Sequence, residues 1–265
     1  MQPNPIAVVT GGSSGIGRAT VTALQEKGCC VFALSRRAQG TPEGATHIQC
    51  DITSDASVQA AVASVLEAAG RIDILVNCAG AGIAGAVEFT DTAAAKFQFD
   101  ILFHGTDRMC RAVLPHMRKN GGGHIVNVSS VAAVAPIPFQ TYYAAAKAAV
   151  DSYTMALANE VRPFGIRVCA VLPGDIKTGF TAARVSECKG DDVYNGRIRK
   201  GIATMEKDEE NGMDPAVVGR AIAKAALQNN PRPLQTVGFS YKAAVLLVKL
   251  LPARAANFIL RKLYA

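Results

Sequence analysis

Tryptophan is absent from this sequence, and aromatic residues make up only 6% of it. The few present are not interleaved with basic residues on any recognisable nucleic-acid module. A net charge of +7 and a pI near 9.1 therefore do not point to a nucleic-acid binder. No uninterrupted apolar run approaches the ~18 residues that cross a bilayer. The N-terminus, MQPNPIAVVTGG, lacks a charged leader followed by an apolar run, so no signal peptide is expected. The seven cysteines (29, 30, 50, 78, 110, 169 and 188) are odd in number and lack CxxC spacing. That pattern argues against a disulfide framework or a metal site, and for a reducing, cytoplasmic setting. Internal repeats and low-complexity linkers are also missing.

What is present is a chain of 265 residues, 49% hydrophobic and 18% charged, which is enough to bury one full core. Short β-branched runs alternate with longer helical patterns: IAVVT, CVFALS, IQCDI, IDILVN, HIVNVSS, RVCAVLP and a last strand near LQTVG. Strands alternating with helices give right-handed crossovers and a parallel sheet covered on both faces. The expectation is one α/β domain over residues 1–240, a doubly wound Rossmann fold with a seven-stranded sheet.

TGGSSGIG, residues 10–17, lies between the first strand and the first helix. Gly11, Gly15 and Gly17 permit a tight turn and close backbone approach, aiming a helix N-terminus at a pyrophosphate, with Ser13 and Ser14 beside it. At the end of the second strand, where a carboxylate would receive an adenosine ribose, stand Ser35, Arg36 and Arg37. A neutral residue followed by two guanidinium groups suits a 2′-phosphate, hence NADPH over NADH. Asp51 is placed either to meet an adenine edge or to serve as a turn or N-cap aspartate. Asn77–Gly80, NCAG, leaves room for a cofactor at the carboxyl edge of the sheet.

Tyr143 and Lys147 sit four apart in an alanine-rich helical run. They share one helix face, either as an ordinary helical pair or as a phenol whose pKa the ammonium lowers for proton transfer. Upstream, Ser130 is placed to hydrogen-bond a carbonyl oxygen as charge develops on it.

TGGSSGIG, NCAG, the serine of NVSS, YAAAK and PGDIKTGF together resemble the short-chain dehydrogenase/reductase family over about residues 5–240. Within it the chain looks closest to the 17β-hydroxysteroid dehydrogenase-like branch. The resemblance implies Tyr143 as general acid/base, Lys147 as the group that tunes it and holds the nicotinamide ribose, and Ser130 as carbonyl orienter. It implies Gly11, Gly15, Ile16 and Gly17 at the phosphates, and Asp51 and Ile52 at the adenine. Asn77, Ala79 and Gly80 would lie beneath the nicotinamide, with Pro173, Gly174, Ile176 and Thr178 covering it. It also implies pairing through helices near 93–119 and 141–163, as a homodimer or homotetramer. One position departs: Leu102 stands where the family has an asparagine that holds a proton-relay water, and His104 is the nearest polar substitute.

Residues 175–212 mix charge, glycine and short helical patterns, as a substrate lid does. Phe180, Tyr194 and Met205 are candidates to line a lipophilic pocket there. From Tyr241 the chain is an amphipathic helical tail, apolar faces beside basic residues, suited to a membrane interface, a partner subunit or a substrate mouth. The function expected is an NADPH-dependent carbonyl reductase or alcohol dehydrogenase for a lipophilic substrate such as a hydroxysteroid or retinoid. The alternative, suggested by Leu102, is a cofactor-binding sensor or scaffold.

Overall fold

A computed structural model describes residues 4–264. Seven strands form one parallel sheet in the order β3-β2-β1-β4-β6-β7-β9. They are β1 (Ile6–Thr10), β2 (Cys30–Ser35), β3 (Thr46–Gln49), β4 (Ile74–Asn77), β6 (Gly123–Val128), β7 (Ile166–Leu172) and β9 (Leu234–Thr236). Two short strands, β5 (Ile83–Ala84) and β8 (Val185–Ser186), pair separately and tie the segment after β7 to the loop after β4. The third strand stops at Gln49, two residues into the IQCDI run, because Asp51 folds its carboxylate onto Thr53 in a turn.

The β-branched runs are buried on both faces, and their period of two divides the core. Val8, Leu75, Ile125 and Val168 face one layer, with α2 (Asp55–Ala69), α4 (Gly105–Lys119) and α5 (Thr141–Val161). Ala7, Val9, Val76 and Val171 face the other, with α1 (Gly15–Gln25) and α8 (Pro215–Ala226). Local chemistry fixes the helix ends. Ser54 accepts from the Ser57 amide at the start of α2, which stops at Gly70 with φ 73°. Asp91 and Asp214 cap α3 (Thr92–Phe99) and α8 in the same way.

Between α3 and α4, Asp100–His104 forms a π-helical turn that carries Leu102 inward. Residues 175–212, expected to be a lid, contain α6 (Phe180–Ala183), β8 and α7 (Arg197–Glu210). The tail forms α9 (Phe239–Leu250) and α10 (Ala253–Tyr264). No helix among the described residues is long and apolar enough to cross a membrane.

Candidate active site

The carboxyl ends of β1, β4, β6 and β7 converge on one edge of the sheet. Thr10, the last residue of β1, clamps this edge: its hydroxyl accepts from the amides of Cys78 (3.0 Å) and Ala79 (3.1 Å). Gly11 follows with φ 68°, so close to Ala79 that a Cβ would lie 2.8 Å from the Ala79 Cα. A Cβ on Gly17 would collide with the Gly11 carbonyl oxygen, and one on Gly15 (φ 48°) would lie 3.5 Å from the Thr178 side chain. Helix α1 then starts with no acidic residue in its first turn and no side chain capping its amides. A glycine cradle beneath an uncapped helix N-terminus fits a dinucleotide pyrophosphate.

At the end of β2, Ser35 Oγ donates to the Arg37 carbonyl (2.6 Å), and Arg36 and Arg37 are exposed. The Asp51 carboxyl lies below its usual range, chiefly through hydrogen bonds from the Thr53 amide and hydroxyl, with Arg36 contributing. Asp51 thus makes the turn expected as one of its two roles. Ile52 is buried against Gly105. The Asn77 side chain does not face the cofactor edge. It donates inward to Asn127 Oδ1 (2.9 Å), because a buried amide in the sheet must find a partner. The residues left to face that edge from the NCAG turn are Ala79, beside Gly11, and Gly80, beside Leu102.

Ser130 and Ser129 point in opposite directions. Ser129 is buried, facing the Lys147 carbonyl (3.3 Å) and Asp151. Ser130 begins a short 3-10 turn and accepts from the Ala132 amide (3.1 Å), and its hydroxyl lies close enough to the Tyr143 phenol to favour the phenolate. Lys147 Nζ lies 5.8 Å from the centre of the Tyr143 ring and donates to the Val128 carbonyl (2.7 Å). Ser130, Tyr143 and Lys147 therefore come together as the spacing implied.

Their electrostatics differ from the sequence expectation. Burial pushes the Tyr143 phenol up to about 12, and Ser130 rather than Lys147 provides the main opposing pull. Burial pulls Lys147 down to about 8. Lys147 therefore keeps most of its charge at pH 7 and loses it as pH rises through about 8, but its ammonium is turned toward the Val128 carbonyl, and Ser130 is the stronger influence on the phenol. Asp151, one turn further along α5, is also buried. Desolvation raises its carboxyl to about 6, and its Oδ1 has no hydrogen-bond partner.

Two other expectations are corrected. His104 is exposed and packed edge-on to Phe103 (5.1 Å between ring centres), so it does not replace the missing asparagine. Leu102 is buried against Gly80 and fills that position with hydrocarbon. The acidic neighbour of Lys147 is instead Asp151. Of the three pocket candidates, only Phe180 reaches the site, its ring centre 6.0 Å from that of Tyr143. Tyr194 packs edge-on to Phe89 and Phe139, and Met205 is buried with Ile198 and Ile202 against Ala84, Ala86 and Phe139 of the main domain.

Residues with no sequence signal complete the wall. Arg184, its side chain 1% exposed, pairs with Glu209 across the lid, and Glu209 also accepts from Thr181 (2.6 Å). Both charges act on Tyr143, as does Asp175, which accepts from Tyr241 (2.8 Å). Asp151 alone was reachable by extending the Tyr143–Lys147 spacing by four residues.

Comparison with known proteins follows the same lines. A family model for short chain dehydrogenases matches residues 5–189. A protein of Bacteroides thetaiotaomicron named 3-ketodihydrosphingosine reductase is 42% identical, over 89% of this chain and 88% of its own length. A short-chain dehydrogenase of Streptomyces avermitilis superposes with a TM-score of 0.86 over 99% of this chain and 98% of its own, at 30% identity. A 3-ketoacyl-(acyl-carrier-protein) reductase of Brucella melitensis, solved with NADH, gives a TM-score of 0.73 at 26% identity, over 88% and 96% of the two chains.

Proposed function

The chain belongs to the short-chain dehydrogenase/reductase family and is an oxidoreductase acting on CH–OH groups, and we propose that it is an NADPH-dependent reductase of a lipophilic ketone. The fold binds nicotinamide cofactors. The observation that carries the reading is the meeting of Ser130, Tyr143 and Lys147 at the sheet edge beside the glycine cradle. Gly11, Ser13, Ser14, Gly15, Ile16 and Gly17 would hold the phosphates. Thr178, beside Gly15, and Pro173, Gly174 and Ile176 would cover the nicotinamide. The nicotinamide supplies the hydride. Ser130 and Tyr143 orient the carbonyl oxygen, and Tyr143 gives its phenolic proton as charge grows there. A phenol whose folded pKa is near 12 stays protonated at neutral pH, which suits a donor.

Ser35 with Arg36 and Arg37 supports NADPH over NADH, since no carboxylate stands at the ribose position to repel a 2′-phosphate. Phe180 beside Tyr143 supports an apolar substrate, and so does the name of the Bacteroides relative, which concerns a keto-lipid. A hydroxysteroid or retinoid fits the same chemistry. Pairing of two copies through α4 and α5 also belongs to this reading. A cofactor sensor is favoured by one observation, the apolar Leu102 at the relay position. The intact Ser130, Tyr143 and Lys147 weigh against it.

The test is NADPH oxidation against long-chain keto-lipids, steroid ketones and retinal, with NADH run in parallel. Turnover with at least one of them, favouring NADPH, is expected. Saturable NADPH binding without turnover across the panel would favour the sensor.

A further inference from the structure

Residues 239–265 contain no aspartate or glutamate, but five cations: Lys242, Lys249, Arg254, Arg261 and Lys262. Five of the chain's seven net positive charges thus sit in its last two helices. Those helices are fastened at their ends and left bare between. At the start of α9, Tyr241 packs on Gly174 and donates to Asp175. At the end of α10, Tyr264 donates to Asp208 (3.2 Å) on α7 and packs with Phe139, Ile198 and Ile202. Between them only Val245 and Ala256 are buried.

The outward side is apolar. Phe239 is 89% exposed, Leu250 74%, Leu263 61% and Phe258 52%. In α9 the exposed residues Phe239, Ala243, Leu246, Leu247 and Leu250 recur at three- and four-residue steps, which is one helix face. In α10 the Arg261 guanidinium and the Lys262 ammonium lie 5.4 and 6.0 Å from the Phe258 ring centre. Large side chains left bare on two successive helices form a patch that soluble surfaces seldom keep unoccupied.

From this arrangement we infer that α9 and α10 seat the protein on an anionic bilayer, with the mouth of the active site at the lipid surface. Apolar residues flanked only by cations are what lies flat at an anionic headgroup boundary, rings and leucines below, ammonium and guanidinium groups above. A second copy is a poor occupant. A twofold contact through this face would bring the same five cations against themselves, with no acid in either tail to pair them. Both tyrosine fastenings end on the lid and on the Gly174–Asp175 turn, beside Tyr143 and Phe180. Seating the tail therefore sets the cleft at the interface, and a water-insoluble ketone enters from the lipid. The seating stands on the tail alone, whereas the entry route rests on the proposed lipophilic substrate.

The experiment is sedimentation of the full chain with vesicles of phosphatidylcholine, with and without phosphatidylglycerol, at rising salt. Binding to the anionic vesicles is expected, weakening with salt and falling about five-fold for each of Lys249, Arg261 and Lys262 changed to Gln. Leu250→Glu and Phe258→Glu abolish it, while reduction of a short, water-soluble ketone and the melting temperature stay unchanged. Equal sedimentation with both vesicle types, or none, overturns the inference. So does a sedimentation-velocity result in which the protein is a dimer that Leu250→Glu dissociates. Turnover is not needed to read vesicle binding, so the two failures are separable.

Discussion

Lys147 and Tyr143 lie four residues apart, yet burial moves them toward neutrality from opposite sides, the lysine down to about 8 and the phenol up to about 12. A lysine whose folded pKa is depressed is protonated only below that value, so its support of the phenol is lost as pH rises through about 8. We expect kcat/KM for NADPH, in carbonyl reduction, to be flat near pH 7 and to fall on the alkaline side with a midpoint near 8. A pH–rate profile checks this. At the other end of the proposed cofactor site, Arg36 is the exposed cation after β2 that the NADPH reading assigns to a 2′-phosphate. Arg36→Ala should raise KM for NADPH about tenfold, the scale of one charged hydrogen bond, and leave KM for NADH unmoved. Parallel kinetics with the two cofactors measure it.

Helix α5 presents Tyr143, Lys147, Asp151 and Thr154 along its inward face, steps of three and four residues that give a polar stripe on a buried surface. Asp151 is the costly member, with a raised carboxyl pKa and an unpartnered oxygen. The penalty is absent where the carboxyl is protonated folded and unfolded, below about 4. It grows as pH rises and is complete above the folded value of about 6. Asp151→Asn should therefore raise stability at pH 7 by on the order of 2 kcal/mol, an advantage that disappears below about pH 4. Denaturant titrations at the two pH values decide it. The glycine turn before α1 works the other way. Gly17→Ala drives a methyl into the Gly11 carbonyl, and should cost roughly 1–3 kcal/mol and weaken cofactor binding. Thermal melts with and without NADPH read both effects.

Across the whole molecule, what could be read from the sequence was whatever repeats or sits at a fixed spacing. The β-branched runs gave the strands because a doubly covered sheet buries every residue of them. TGGSSGIG gave its turn because only glycine clears Ala79 and the Gly11 carbonyl. Ser130 was legible as the serine that the family resemblance places upstream of Tyr143. Contacts made by lid elements far apart in the chain were not, which is why the Arg184–Glu209 pair went unseen and Tyr194 and Met205 were expected in the pocket. Burial was also hidden: Lys147 reads as a charge, and only its surroundings show why it does so little to lower Tyr143. The most direct test of the account is Tyr143→Phe, assayed for ketone reduction and for the melting-temperature rise that NADPH causes. Turnover lost with the NADPH-induced rise intact is the predicted result. A variant that reduces the ketone at near the native rate would contradict the assignment of Tyr143 as proton donor.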